Sequence, residues 1–188
     1  MKIVVLSGSI AGSKTRSAAR YTAEYLQEHY AEHETALIDL AEYAMEFADG
    51  RNYLDYRGDT GRLAQSIMES EVVLLGSPIY QASIPGVLKN VFDLLPGDAL
   101  RDKVVGMFIT AGSQRHNLIP EIQLKPILSY LKAHIVETYV FIEERSFQGS
   151  SIVDDDVRFR LQRLIDDALT LADVYARVRE LKDEQYGF

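Results

Sequence analysis

The chain has 188 residues, 47% hydrophobic and 26% charged, a length and balance that suit one domain with a sizeable core. Its net charge of −8 excludes a general nucleic-acid binder, because phosphate backbones reward a basic face, so any anion site must be a local basic island. Cysteine is absent, which excludes disulfides, thiolate catalysis and cysteine-ligated metals and leaves redox chemistry to a bound organic cofactor.

The apolar run 3–6 reads as a strand buried on both faces, and a helix is expected over 18–29. Between them, Gly8 and Gly12 let the backbone come close to a ligand. Ser9, Ser13, Thr15 and Ser17 offer hydroxyls, and Lys14 and Arg16 offer charge. A strand, a small-residue loop and a helix start in that order make an anion site; the plain alternative is a serine-rich turn with capping residues. Met1-Lys2 runs straight into the strand without a signal-peptide pattern, and no apolar run is long enough to span a membrane, so a cytoplasmic protein is expected.

A second strand is expected at 34–40. Residues 41–61 show no period and hold Tyr43, Phe47, Tyr53 and Tyr56 among glycines, so they cover a ligand, pack on a second subunit or form a surface excursion. The pattern then predicts a helix at 62–70, a third strand at 72–75, and a loop at 77–86 carrying Pro78 and Pro85. A helix over 87–95 and a fourth strand over 104–109 follow, and the small-residue loop 110–116 comes next. A helix at 119–131, kinked or split by Pro126, precedes a fifth strand at 135–142. The closing helix is expected over 154–181, capped by Asp154, Asp155 and Asp156 rather than holding a metal there, with 183–188 as a loose tail.

Strand and helix alternate five times, which predicts an α/β fold with a doubly wound, five-stranded parallel sheet, helices on both faces and right-handed crossovers. Ligands of such folds bind beyond the carboxyl ends of the strands, where strand order reverses. The loops after strands one, three and four should therefore converge.

Three ligand classes compete for them. Gly8 to Thr15 nearly matches the phosphate loop of nucleotide hydrolases, but Ser13 stands where its second glycine belongs, and neither the third nor the fourth strand ends in an aspartate for magnesium. The glycine spacing of a dinucleotide site is also missing, although Asp39 ends the second strand. Flavin mononucleotide needs a monophosphate nest, which the first loop supplies. It also needs a surface for a flat ring, which Pro78-Ile79-Tyr80 supplies, and a close backbone approach at Gly112.

The segments Val4-Val5-Leu6-Ser7-Gly8-Ser9, Gly76-Ser77-Pro78-Ile79-Tyr80 with Pro85-Gly86-Val87-Leu88-Lys89-Asn90 and Asp93, and Thr110-Ala111-Gly112-Ser113 with Leu124-Lys125-Pro126 carry a resemblance over residues 1–144. Together they resemble the NADPH-dependent FMN reductase family of flavodoxin-like proteins, nearest to the reductases that partner sulfonate monooxygenases. The resemblance implies that the first loop (Ser9, Ser13, Lys14, Thr15, Arg16, Ser17) holds the FMN phosphate. Pro78, Ile79, Tyr80 and Gln81 would lie against the ring, and Thr110, Ala111, Gly112 and Ser113 on its far side. Many family members carry arginine at the position of Ala11, and some sulfonate-linked members carry tyrosine at that of Ile122, so properties resting on that tyrosine are not carried over.

The implied reaction is hydride transfer from NADPH to the flavin and on to a second acceptor, with no side chain assigned as acid or base; His116 beside the third loop has no partner pattern. The same site would serve a quinone or azo-dye reductase, and a flavodoxin-type electron carrier shares fold and cofactor. A homodimer or homotetramer is expected, its surface drawn from the apolar helix 87–95 and the 41–61 excursion, and a flavin-dependent monooxygenase is the candidate protein partner.

Overall fold

In a computed structural model, which describes residues 1–186, a central parallel sheet separates two apolar cores. Its strands are β1 (Lys2–Ser7), β2 (Glu34–Asp39), β3 (Val72–Pro78), β4 (Val104–Ala111) and a fifth strand in two pieces, β5 (His134–Ile135) and β6 (Val140–Glu143). The spatial order is β2-β1-β3-β4-β5, with β6 also paired to β4, every ladder being parallel. That order reverses between β1 and β3, as in the flavodoxin-like arrangement.

Alternation along each strand sorts the side chains. Ile3, Val5, Val72, Leu74 and Phe108 face helices α1 (Lys14–His29) and α5 (Asp155–Tyr186). Val4, Leu6, Val73, Leu75 and Met107 face α2 (Gly58–Glu69), α3 (Gly86–Leu94) and α4 (Lys125–Tyr130).

Several boundaries depart from the expected ones. Helix α1 begins at Lys14, so Lys14 to Ser17 form its first turn instead of a loop. Helix α2 begins at Gly58 despite its glycines, and Pro126 sits in the first turn of α4, which follows directly on a π-helical turn over Pro120–Leu124. Residues 147–152 form a hairpin, β7 (Phe147–Gln148) with β8 (Ser151–Ile152), that the pattern did not reveal. Helix α5 runs on through residues 183–186, the greater part of the expected tail; residues 187–188 lie outside the described part. Its start is capped by Asp154, whose carboxylate accepts from the amides of Asp156 (3.1 Å) and Val157 (3.4 Å) and from the Ser146 hydroxyl (2.9 Å).

Candidate functional site

The carboxyl ends of β1, β3 and β4 meet at one edge, and close backbone contact makes that possible. The Gly8 amide donates to the Gly76 carbonyl at 2.8 Å, and a Cβ on Gly8 would come within 2.7 Å of that oxygen. The Ile79 amide donates to the Thr110 carbonyl at 3.2 Å, tying the second loop to the third. Between them opens a cleft of about 190 Å³ lined by Ala11, Gly12, Lys14 and Thr15 from the first loop and helix start, Pro78, Ile79 and Tyr80 from the second, and Thr110, Ala111 and Gly112 from the third. Larger hollows lie between α3 and α4 and beside residues 53–69, away from these strand ends.

One end of the cleft is the amino terminus of α1. Ser13 occupies the cap position but makes no side-chain cap bond, so the first amides of the helix are left for an external acceptor. Lys14 is the cation of the cleft; its Nζ donates to the Gly149 carbonyl at 3.1 Å and stands 5.1 Å above the Phe147 ring. Buried Thr15 shares a hydrogen bond with Thr110, Oγ1 to Oγ1 at 2.6 Å, which locks the helix start to the end of β4. The hydroxyl that a nucleotide hydrolase would offer to magnesium is thus engaged elsewhere.

Other expected site residues fall outside the lining. Arg16 turns away into an ion pair with the buried carboxylate of Asp39. Ser17, one residue further round the helix, borders a separate polar hollow with Arg20, Tyr21 and Ser151. Ser9 is buried and its hydroxyl donates to the Ala11 carbonyl at 2.6 Å. Gln81 is exposed in a tight turn with φ of +49°, and Ser113 precedes a short 3₁₀ turn, Gln114–His116, whose His116 is exposed. The Tyr80 hydroxyl reaches across to the first loop, to the Ala11 carbonyl at 2.8 Å and Ser9 Oγ at 3.0 Å.

Ile142, Glu144 and Phe147 complete the lining. Ile142 closes the strand read from the sequence, and the carboxyl end of that strand lies at the same edge as the other three. The edge rule that selected loops one, three and four applied to it as well, and was the available signal. Among the cleft's aromatic side chains, Tyr80 and Phe147 lie on the second loop and the hairpin; Glu144 brings the one carboxylate of the lining.

The family model described as NADPH-dependent FMN reductase matches residues 1–147. An NAD(P)H-dependent FAD/FMN reductase of Geobacillus thermodenitrificans (strain NG80-2) is 35% identical over 165 residues, 87% of this chain and 89% of the relative. The NADH-dependent FMN reductase SfnF of Pseudomonas putida is 28% identical, covering 88% and 90% of the two chains. Among solved structures, the apo form of the NADH:FMN oxidoreductase EmoB superposes with a TM-score of 0.73 at 27% identity, over 90% of this chain and 89% of its own. Flavodoxin 1 of Bacillus cereus shares the fold, with a TM-score of 0.61 at 19% identity over 89% of this chain and 97% of its own. With its parallel sheet, its three-loop cleft and these matches, the chain belongs to the NADPH-dependent FMN reductase family.

Proposed function

We propose that the chain transfers hydride from NAD(P)H to FMN seated in this cleft and passes the electrons to a second acceptor. The observation that carries the reading is the convergence of three sequence-distant loops on one cleft that ends at an uncapped helix start. When bound, FMN supplies the hydride acceptor and the electron relay. The residues supply position. The open amides of α1 and Lys14 would hold the phosphate, a role for which the charge of Arg16 is already spent on Asp39. Pro78, Ile79 and Tyr80 on one side and Thr110, Ala111 and Gly112 on the other would bracket the ring, with Ile142 and Phe147 adding apolar surface. A cleft of about 190 Å³ is below the roughly 300 Å³ at which drug-sized ligands become mostly enclosed, which suits a flavin left open to a nicotinamide and then to the acceptor.

The same openness supports a reductase over a flavodoxin-type carrier, and leaves quinones, azo dyes and a monooxygenase as acceptors of one chemistry. The absorption spectrum of the purified protein with added FMN, repeated after anaerobic NADPH, tests the reading. Bleaching of bound flavin is expected; a protein that neither binds FMN nor speeds NADPH oxidation overturns it.

A homodimer or homotetramer is part of the proposal, through the 41–61 excursion and a further exposed group, with helix α3 contributing little. Leu88, Val91, Phe92 and Leu94 of α3 are buried within the protomer, so that helix offers little to a partner. Phe47 and Leu54 of the 41–61 excursion are exposed, and with Leu118, Ile122 and Tyr130, on and beside the π-helical turn and α4, they are the apolar side chains that support the assembly.

A further inference from the structure

Ser9 is buried, residues 10–12 are exposed, and one side chain makes the hydrogen bonds that join this stretch to another segment. Among the described residues, the hydrogen bonds that join this stretch to another segment are those of the Tyr80 hydroxyl, to the Ala11 carbonyl at 2.8 Å and to Ser9 Oγ at 3.0 Å; the other bonds of the stretch run between Ser9 and Ala11 themselves. Ile10 at its tip is 61% exposed and contributes no anchoring core contact. Tyr80, by contrast, rises from a stiff base. Its amide and carbonyl both pair with Ser83 at 2.9 Å, closing a two-residue turn in which Gln81 (φ +49°) and Ala82 (φ +58°) both occupy the left-handed region that normally selects glycine or asparagine. Such strain persists where the surroundings fix it, and it clusters where a group must be aimed.

We propose that Tyr80 is a positioning residue that sets the shape of residues 9–12 and thereby the protein's preference for a phosphorylated flavin over an unphosphorylated one. This rests on the reading that the phosphate lies at the start of α1. A loop anchored at Gly8, at buried Ser9 and at the helix, with exposed residues 10–12 between, must be ordered when an anion binds; the phenol orders it beforehand, so the ordering cost falls on folding instead of on binding. The ring of the ligand meets Pro78 and Ile79 whether or not the hydroxyl is present, so the hydroxyl acts on the phosphate end.

The test is fluorescence titration of the wild type, Tyr80→Phe, Ser9→Ala and the double variant with FMN and with riboflavin. The wild type is expected to favour FMN. Tyr80→Phe should lower the FMN-over-riboflavin ratio about tenfold, the order expected for one hydrogen bond that orders a binding loop. Ser9→Ala should lower it less, because the bond from the Tyr80 hydroxyl to the Ala11 carbonyl remains, and the double variant should lose less than the sum of the two, because the Ser9–Tyr80 bond is common to both. A wild type without preference for FMN overturns the phosphate placement and this proposal with it. A wild-type preference that survives intact in Tyr80→Phe, or losses that simply add in the double variant, overturns this proposal alone.

Discussion

The Arg16 guanidinium lies against a carboxylate, Asp39, whose side chain is only 7% exposed at the end of β2. Removing the arginine would leave that acid buried without its counter-charge, an arrangement that costs far more than a surface ion pair does. Arg16→Ala is therefore expected to lower unfolding free energy by about 2 kcal/mol in urea denaturation while weakening FMN binding less than Lys14→Ala does. Equal effects on FMN would return Arg16 to the phosphate site. Thr15 makes a parallel case, because its hydroxyl is shared with Thr110 in a buried pair. Thr15→Val strands the Thr110 hydroxyl and should cost about 1–2 kcal/mol of stability, which Thr15→Ser should largely restore; a thermal melt series distinguishes them. The sequence made the polar run from Ser13 to Ser17 visible as a class of chemistry. It could not show direction, since consecutive residues of a helix turn point about 100° apart, and placing these residues in the first turn of α1 sends Lys14 and Thr15 to the cleft, Arg16 to β2 and Ser17 to the α1 side of the hairpin.

At the scale of elements, the excursion after β2 explains its own lack of pattern. Its backbone pairs with side chains instead of with a strand: the Ala44 amide donates to Asp59 at 2.8 Å, the Glu46 amide to Thr60 at 2.9 Å, and the Ala48 amide to Asn90 Oδ1 at 2.9 Å, while Asn90 Nδ2 donates to the Glu46 carbonyl at 2.8 Å. Asn90, part of the middle segment that carries the family resemblance, thus holds a loop. Asn90→Ala removes both of its bonds and should cost about 2 kcal/mol, with limited proteolysis cutting residues 44–57 faster than in the wild type. The turn after Tyr80 carries the opposite expectation: Ala82→Gly relieves a left-handed backbone and should stabilise the fold by up to about 1 kcal/mol in the same urea assay. The cap of α5 adds a pH dependence. Hydrogen bonds from Ser146 and from the amides of Val157 and Asp156 hold the Asp154 carboxyl below its ordinary value. Its contribution is therefore complete above the unfolded value and is lost as pH falls through the lowered folded one. Asp154→Asn should melt lower than the wild type near neutrality and lose that difference in strong acid. A gap that stayed constant with pH would assign the cap to shape alone.

For the molecule as a whole, the alternation of strand and helix was enough to read the sheet, because parallel strands with crossovers admit few orders and the strongly apolar runs of β1, β3 and β4 are buried on both faces. The fifth strand was legible as one piece and is two, since Glu137 and Thr138 keep the middle of the run off β4. Walls drawn from residues 11–15, 78–80, 110–112 and 142–147 exist together only in the folded chain, so a ligand of the cleft acts on the whole stability. FMN at a hundred times its dissociation constant should raise unfolding free energy by about 2.7 kcal/mol, visible as a concentration-dependent melting temperature. Sedimentation of the same sample is expected to show a species heavier than the 21.2 kDa chain. The interrupted fifth strand also bears on how such chains can meet. A continuous outer strand would offer a ladder of free amides and carbonyls on which another chain could extend the sheet. Here that ladder is cut into pieces of two and four residues, and in the gap the ammonium of Lys125 occupies the Glu137 carbonyl at 3.0 Å. On this side the interruption and the lysine blunt the edge, which disfavours a running fibre of strands and leaves association of copies to side-chain surfaces.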